Sequence, residues 1–324
     1  MPSRRTIGVD MGGSKLLAGA VDSGLSVHHR TRRSINRLDV SYLFDTVVDA
    51  VEETRAGAGA EVAAVGFGIP SLIDQRTGTA VVAVNLPLEN VMFADVMAER
   101  LDLPVFVDND ANLAALAEHR AGAAMGVDHM VLIGLGTGIS GGLILNGELY
   151  RGWIGAGAEI GHMVIDLNGP PCQGNCPNRG CFESLASGTA LAREAHTIAE
   201  EQPETALGRA MREGRELDGP LVTELAHDGD PAAGAVIDLI GTRLGVAIAN
   251  LVNIFNPQMV VVGGGVMGAG EMLLEPARAE MLRRALPPSR DVVAVVAAEF
   301  AHEAGMVGAA ALALDGLTAR QEQL

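Results

Sequence analysis

The sequence predicts an α/β fold built as two domains. Three observations lead there. Strand patterns alternate with helical ones along the chain. A strand, a glycine turn and a hairpin over residues 6–30 recur over residues 130–150. The chain has 324 residues, 48% of them hydrophobic, enough for more than one core.

In chain order, Thr6-Ile7-Gly8-Val9-Asp10 reads as a short strand ending in a carboxylate. A turn follows at Met11-Gly12-Gly13-Ser14-Lys15, then hairpin strands at 16–21 and 25–30 around Asp22-Ser23-Gly24. From Val40, the residues Leu43, Phe44, Val47, Val48 and Val51 keep helical spacing, with Asp39 or Ser41 as N-cap. Residues 62–69 read as a buried strand ending in Gly68-Ile69-Pro70. Residues 104–108 read as another, running into Asn109-Asp110 and a helix over 111–120. At Met130 the opening pattern returns: a strand, then Gly134-Leu135-Gly136-Thr137-Gly138, then a hairpin at 142–145 and 148–150 around Asn146-Gly147. Chance likeness of two strand–turn segments is the alternative to duplication.

Residues 187–200 and much of 202–240 read as helices with acidic loops, a solvated face without chemistry. Leu244, Ile248, Leu251, Val252 and Phe255 form one stripe of a helix over 241–255, stopped by Asn256-Pro257. A buried strand at 259–262 feeds Gly263-Gly264-Gly265; a further strand at 292–299 and a small-residue helix at 304–314 complete the reading.

The net charge of −17 and a pI near 4.8 argue against nucleic acid or an anionic membrane as partner. No signal-like or membrane-spanning stretch stands out, and free thiols in a metal-ligand run suit a reducing compartment, so a cytoplasmic protein is expected. Phosphate must then be bound locally, by backbone N–H groups and few cations. The single lysine, Lys15, sits in the first glycine loop.

All three cysteines, Cys172, Cys176 and Cys181, lie in one proline-bounded loop after Glu159-Ile160-Gly161-His162 and before Glu183. An odd count argues against a disulfide framework. One imidazole and three thiolates make the four-coordinate set of a structural zinc site, and Gly174, Pro177 and Gly180 let the chain wrap an ion. Three small buried hydrophobes and a core histidine are the alternative.

Three glycine loops follow strands: at residues 10–15, at 134–138 and at 263–265. Such loops let N–H groups approach phosphate oxygens. None matches a P-loop or a dinucleotide fingerprint. Together they suggest a triphosphate in a cleft between domains, with Ser14 and Thr137 hydroxyls as added donors. Asp10 could orient Mg²⁺ through water, or cap its turn. Asn109-Asp110, at a strand-to-helix junction, suits a base beside a hydroxyl-binding amide; locally, an N-cap pair reads as well.

Taken together, these residues resemble the ROK family (repressor, ORF, kinase) of the actin-like, hexokinase-like ATPase superfamily. The resemblance is carried by Asp10-Met-Gly-Gly-Ser-Lys15, Gly68-Ile-Pro70, Asn85-Leu-Pro, Asn109-Asp110, Gly136-Thr137-Gly138, Glu159-Ile-Gly-His162, the cysteines with Glu183, and Gly263-Gly-Gly265. It implies a two-domain actin-like ATPase (ribonuclease H-like) fold with an interdomain cleft. The smaller domain would comprise 1–115 plus 305–324 and the larger 116–304, with the zinc knuckle.

The implied activity is ATP-dependent phosphorylation of a hexose at its 6-hydroxyl, glucose first, as in glucokinase-like members. Asp110 would be the general base. Gly68, Asn85, Asn109, Glu159, His162 and Glu183 would bind the sugar. Asp10, Gly12, Gly13, Ser14, Lys15, Thr137 and Gly138 would surround the phosphates and Mg²⁺, and Gly264 and Gly265 would back the adenosine. His162, Cys172, Cys176 and Cys181 would hold structural zinc. A homodimer or homotetramer is implied.

Cys-x3-Cys replaces the usual Cys-x-Cys, Ser14 the usual Thr, Ser140 stands where Gly or Ala is common, and Leu88 stands where glucokinase-like members often carry an aromatic. N-acetylmannosamine or fructose as substrate, polyphosphate as donor, and a non-catalytic sugar-sensing regulator are the alternatives. The first loop at residue 10 leaves no room ahead of it for a repressor's helix-turn-helix.

Overall fold

Ile7, Gly8 and Val9 are buried without alternation, as a central strand covered on both faces requires. They form the middle of β1 (Arg5–Met11) in the computed structural model, which describes residues 4–36, 38–83 and 86–322. Then come β2 (Lys15–Val21), β3 (Val27–Ser34), α1 (Val40–Gly57), β4 (Val62–Ile69), β5 (Ser71–Asp74), β6 (Thr79–Ala83) and β7 (Glu89–Val91). The segment closes with α2 (Phe93–Leu101), β8 (Val105–Asn109) and α3 (Asp110–Ala121). The chain divides into two compact units: Met1–Gly126 with Gly142–Ala158 and Glu299–Leu324, and Val127–Gly141 with Glu159–Ala298.

In the first unit the sheet order is β3-β2-β1-β4-β8, with β1, β4 and β8 parallel. The expected N-cap Asp39 starts α1 by accepting the Tyr42 N–H at 3.0 Å. Phe93 joins α2 to this core, 5.2 Å from Phe67 and 5.6 Å from Phe44 between ring centroids. The hairpin of β10 (Ile139–Leu145) and β11 (Glu148–Leu149) turns at Asn146-Gly147, both at positive φ.

The last described helix, α11 (Ala304–Glu322), packs on β1, β4 and α3. Its small residues permit a close approach of backbones. A Cβ on Gly66 would lie 1.8 Å from Ala309 O, and one on Gly308 1.8 Å from Leu113 O. Thr6 Oγ1 donates to Ala310 O at 3.0 Å across this contact. Glu118 of α3, fully buried, accepts the N–H groups of Ala123, Glu299 and Phe300 at 2.8–3.1 Å.

The second unit continues β9 (Met130–Leu135) and the start of β10 with α4 (Phe182–Ala186), α5 (Gly188–Glu201), α6 (Ala206–Arg212), α7 (Gly219–His227) and α8 (Pro231–Phe255). Next are β12 (Met259–Gly263), α9 (Glu271–Arg284), α10 (Ser289–Val292) and β13 (Ala294–Ala297). The order β11-β10-β9-β12-β13 repeats the order of the first sheet, hairpin strands then parallel strands. Duplication, read from the two strand–turn–hairpin segments, is visible in this shared order.

One expectation changes, and two elements go beyond the sequence reading. The stripe at 241–255 belongs to a helix that starts at Pro231, because Asp230 caps it by accepting the Ala233 N–H at 2.9 Å with proline at N1. The small sheet β5-β6-β7 has strands of 3–5 residues, too short to show periodicity. Helix α9 carries Pro276 inside it, which reads in sequence as a stop. Helix α8 alone among described helices is long and apolar enough to cross a bilayer; most of it is buried, in contact with α7 and α9.

Helix propensity alone predicts that Gly→Ala stabilises a helix by up to ~1 kcal/mol. At Gly308 the Leu113 carbonyl occupies the new methyl's place, so Gly308→Ala will destabilise by about 1–3 kcal/mol or more. Gly234→Ala in α8, with nothing within 4 Å, will be neutral or stabilising. Urea unfolding of the two variants checks the contrast.

Candidate active site and metal centre

Parallel pairing sets Asp10 opposite Gly68, Gly68 opposite Asp108, and Ile69 opposite Asn109. The carboxyl ends of β1, β4 and β8 thus bring Asp10, Gly68, Asn109 and Asp110 to one edge, where open α/β sheets bind ligands. Asn109 is the N-cap of α3: its Oδ1 accepts the N–H of Ala111 at 2.9 Å and of Asn112 at 3.2 Å. Its Nδ2 donates to Ser71 O at 3.4 Å. Asp110 follows as the first helical residue and accepts the Ala111 N–H at 2.9 Å. The capping role read from local sequence is realised, and it holds both side chains at the helix N-terminus, where negative charge is favoured.

Burial, and then the nearby Asp110 carboxylate, push the Asp10 carboxyl up to about 7. Such a group ionises fully at neutral pH only when a cation is close, which suits Asp10 to a divalent ion. The turn after it is closed by Gly12 N–H donating to Lys15 O at 2.9 Å, and leaves Gly13, Ser14 and Lys15 exposed.

Sequence reasoning passed over Asp108 and Arg151. Asp108 is 1% exposed and takes Arg151 Nε at 2.6 Å on Oδ2. Its Oδ1 accepts the Asn109 N–H at 2.8 Å and Asn112 Nδ2 at 3.0 Å. Asp108 had a local signal, a third polar residue beside Asn109-Asp110 on a buried strand. Arg151 had none.

In the second unit, Gly134 of β9 pairs with Gly263 of β12, so the loops Gly136-Thr137-Gly138 and Gly264-Gly265 leave one edge together. The first loop is tied down from α5: the Gly188 N–H donates to Gly136 O at 2.8 Å and Thr189 Oγ1 to Thr137 O at 2.8 Å. Glu183 Oε2 accepts the Ile139 N–H at 2.8 Å just after the loop. Its other oxygen lies 4.0 Å from Cys172 Sγ, so this carboxylate joins the loop to the cysteines.

The cysteine run folds as a small knuckle. Pro171 bridges Arg179, the Cys172 N–H donates to Asn178 O at 2.9 Å, and Gly174 and Gly180 take positive φ. One ligand atom from each of His162, Cys172, Cys176 and Cys181 lies within 4.8 Å of the others. His162 Nδ1 is 3.5 Å from Cys172 Sγ, and Cys176 Sγ is 3.9 Å from Cys181 Sγ. A tetrahedron with metal–sulfur bonds of ~2.3 Å has edges of about 3.8 Å, so the set fits a metal ion. Only Cys181 is buried, which leaves the reading of three core thiols without support. Burial, then the neighbouring thiols, push Cys181 up to about 12; burial raises Cys172, and the Asn178 backbone lowers Cys176.

Glu159 is exposed and precedes the 3-10 turn Ile160–His162. Asn85 lies outside the described residues.

The chain is 35% identical to the glucokinase of Thermotoga maritima over 316 residues, 96% of this chain and 98% of that one. A solved ROK family glucokinase from Streptomyces griseus, in complex with glucose and AMPPNP, is 36% identical with a TM-score of 0.85, covering 96% of this chain and 100% of its own. The xylose repressor of Caldicellulosiruptor bescii is 31% identical over 73% of this chain and 58% of its own. With these likenesses comes the actin-like ATPase fold. The ROK family profile matches residues 6–316, and the chain belongs to the ROK family.

Proposed function

We propose that this protein is a glucokinase-like sugar kinase, transferring the γ-phosphoryl group of ATP to the 6-hydroxyl of a hexose, with glucose the first substrate to test. The observation that carries this is the carboxylate pair at one sheet edge: Asp110 on a helix N-terminus, close enough to raise the Asp10 carboxyl. Phosphoryl transfer needs a base for the hydroxyl and a separate carboxylate for the metal–phosphate, and this pair offers both.

Asp110 accepts the hydroxyl proton as the oxygen attacks in line. Asn109, Gly68, Asn85, Glu159, His162 and Glu183 hold the sugar hydroxyls. Gly12, Gly13, Ser14, Lys15, Thr137 and Gly138 surround the phosphates, and Gly264 and Gly265 back the adenosine. Mg²⁺, when bound, neutralises charge on the phosphates, and Asp10 is the residue suited to hold it. Zinc suits His162, Cys172, Cys176 and Cys181; with four protein ligands it keeps no open position, so its role is structural. With Nδ1 turned to Cys172, His162 keeps Nε2 for a sugar hydroxyl. The reading extends to a cytoplasmic homodimer or homotetramer acting on small molecules, with neither nucleic acid nor membrane as partner. Kinship with a xylose repressor keeps a regulator as the second reading.

A coupled assay with glucose, fructose, mannose and N-acetylmannosamine, each with ATP and with polyphosphate, tests the reading; no phosphorylation of any sugar would falsify it. Asp110→Asn will lower kcat by roughly 10²- to 10⁴-fold with sugar affinity largely kept. Purified protein will contain one zinc per chain, and chelation will weaken sugar binding and lower the melting temperature together; protein without stoichiometric zinc refutes the ligand assignment.

A third expectation concerns pH. The native Asp10 carboxyl sits near 7 against a usual 3.8, so between those values the native state binds more protons than the unfolded one. Its contribution therefore favours folding at low pH and is lost as pH rises towards 7. Asp10→Asn will remove that dependence, stabilising the nucleotide-free protein at pH 8 while abolishing turnover. Melting curves with and without the substitution read the difference.

A further inference from the structure

Asp108 precedes the Asn109-Asp110 pair and is withdrawn from water, so its charge must be compensated. The compensation is divided between two purposes. One oxygen holds the Asn109 N–H and Asn112 Nδ2, while Asn112 returns its own N–H to Asn109 Oδ1. Asp108, Asn109 and Asn112 therefore close a small ring at the start of α3. The other oxygen takes Arg151 Nε at 2.6 Å. Arg151 comes from the loop after β11, and that loop is seated on the small sheet: a Cβ on Gly155 would lie 2.1 Å from Ile73 O. The hydroxyl-binding amide and the base are thus held from a segment 43 residues away in sequence.

We infer that Asp108 and Arg151 form a positioning pair, setting the rotamer of Asn109 and the first turn of α3 and so the aim of the Asp110 carboxylate. The inference rests on the reading of Asp110 as base. Neither residue is proposed to touch a reacting atom. Stability alone is a poor account of the pair, because buried ion pairs often add little over apolar replacements of the same shape. The ring through Asn109 gives it a geometric task.

The test compares Arg151→Gln, Asp108→Asn, their double variant and Arg151→Lys with wild type. Removing both charges leaves no lone buried ion, so the double variant is expected to fold and melt close to wild type. Its kcat will fall roughly 10- to 100-fold, the scale of a displaced catalytic group. KM for the sugar will stay within about threefold. Arg151→Lys will recover part of the loss, and the single losses will not add in the double variant. Amide hydrogen exchange at residues 109–112 will accelerate in the double variant. Wild-type kcat in that variant, or unchanged protection at 109–112, overturns the inference. If wild type phosphorylates no sugar, the proposed function fails by itself, and the exchange measurement still decides the pair.

Discussion

The hydrogen-bond register of three parallel strands governs the first unit. Asp10, Gly68 and Asp108 stand in one row because β1, β4 and β8 pair in that alignment. A slip of one residue would send each side chain to the opposite face. What prevents the slip is the difference between the two faces: Ile7, Val9, Val65 and Phe67 fill the core on one, while Thr6, Gly8 and Gly66 meet α11 closely on the other. The chemistry at the edge is therefore held by apolar packing several residues away from it.

Three acidic groups in that unit give up water, Asp10 only in part, and meet different fates. Glu118 is satisfied by three backbone N–H groups and behaves as a structural tie. Asp108 is matched by an arginine and an amide. Asp10 has burial and a like charge acting on it, both in the unfavourable direction. Unrelieved cost concentrated at one residue, between two compensated ones, is what a ligand-completed site produces.

The parts legible in the sequence were those with a local signature. Unbroken apolar runs gave β1, β4, β9 and β12; Asp39 gave the start of α1; the ligand types around the knuckle gave a cluster that closes in space. The substrate roles proposed for Glu159 and Glu183 come from family resemblance alone. Glu183 also turned out to support the Ile139 N–H, a task visible only once α4 meets the second glycine loop. Arg151 was illegible for the same reason: its partner is set by topology, and any surface arginine reads alike. Short strands and a proline-bearing helix escaped because period and punctuation, the two signals used, fail there.

Helix α11 gives the chain a folding order. Thr6 and Ala310 meet across 304 positions, so the first sheet cannot receive its covering helix until nearly everything else has been made. The intervening second unit contains an unbroken stretch, Glu159–Ala298, that can collapse on local contacts much earlier. Until then the face of β1 and β4 that α11 will cover, lined by Thr6, Gly8 and Gly66, stays open. The first described strand is thus among the last to be covered.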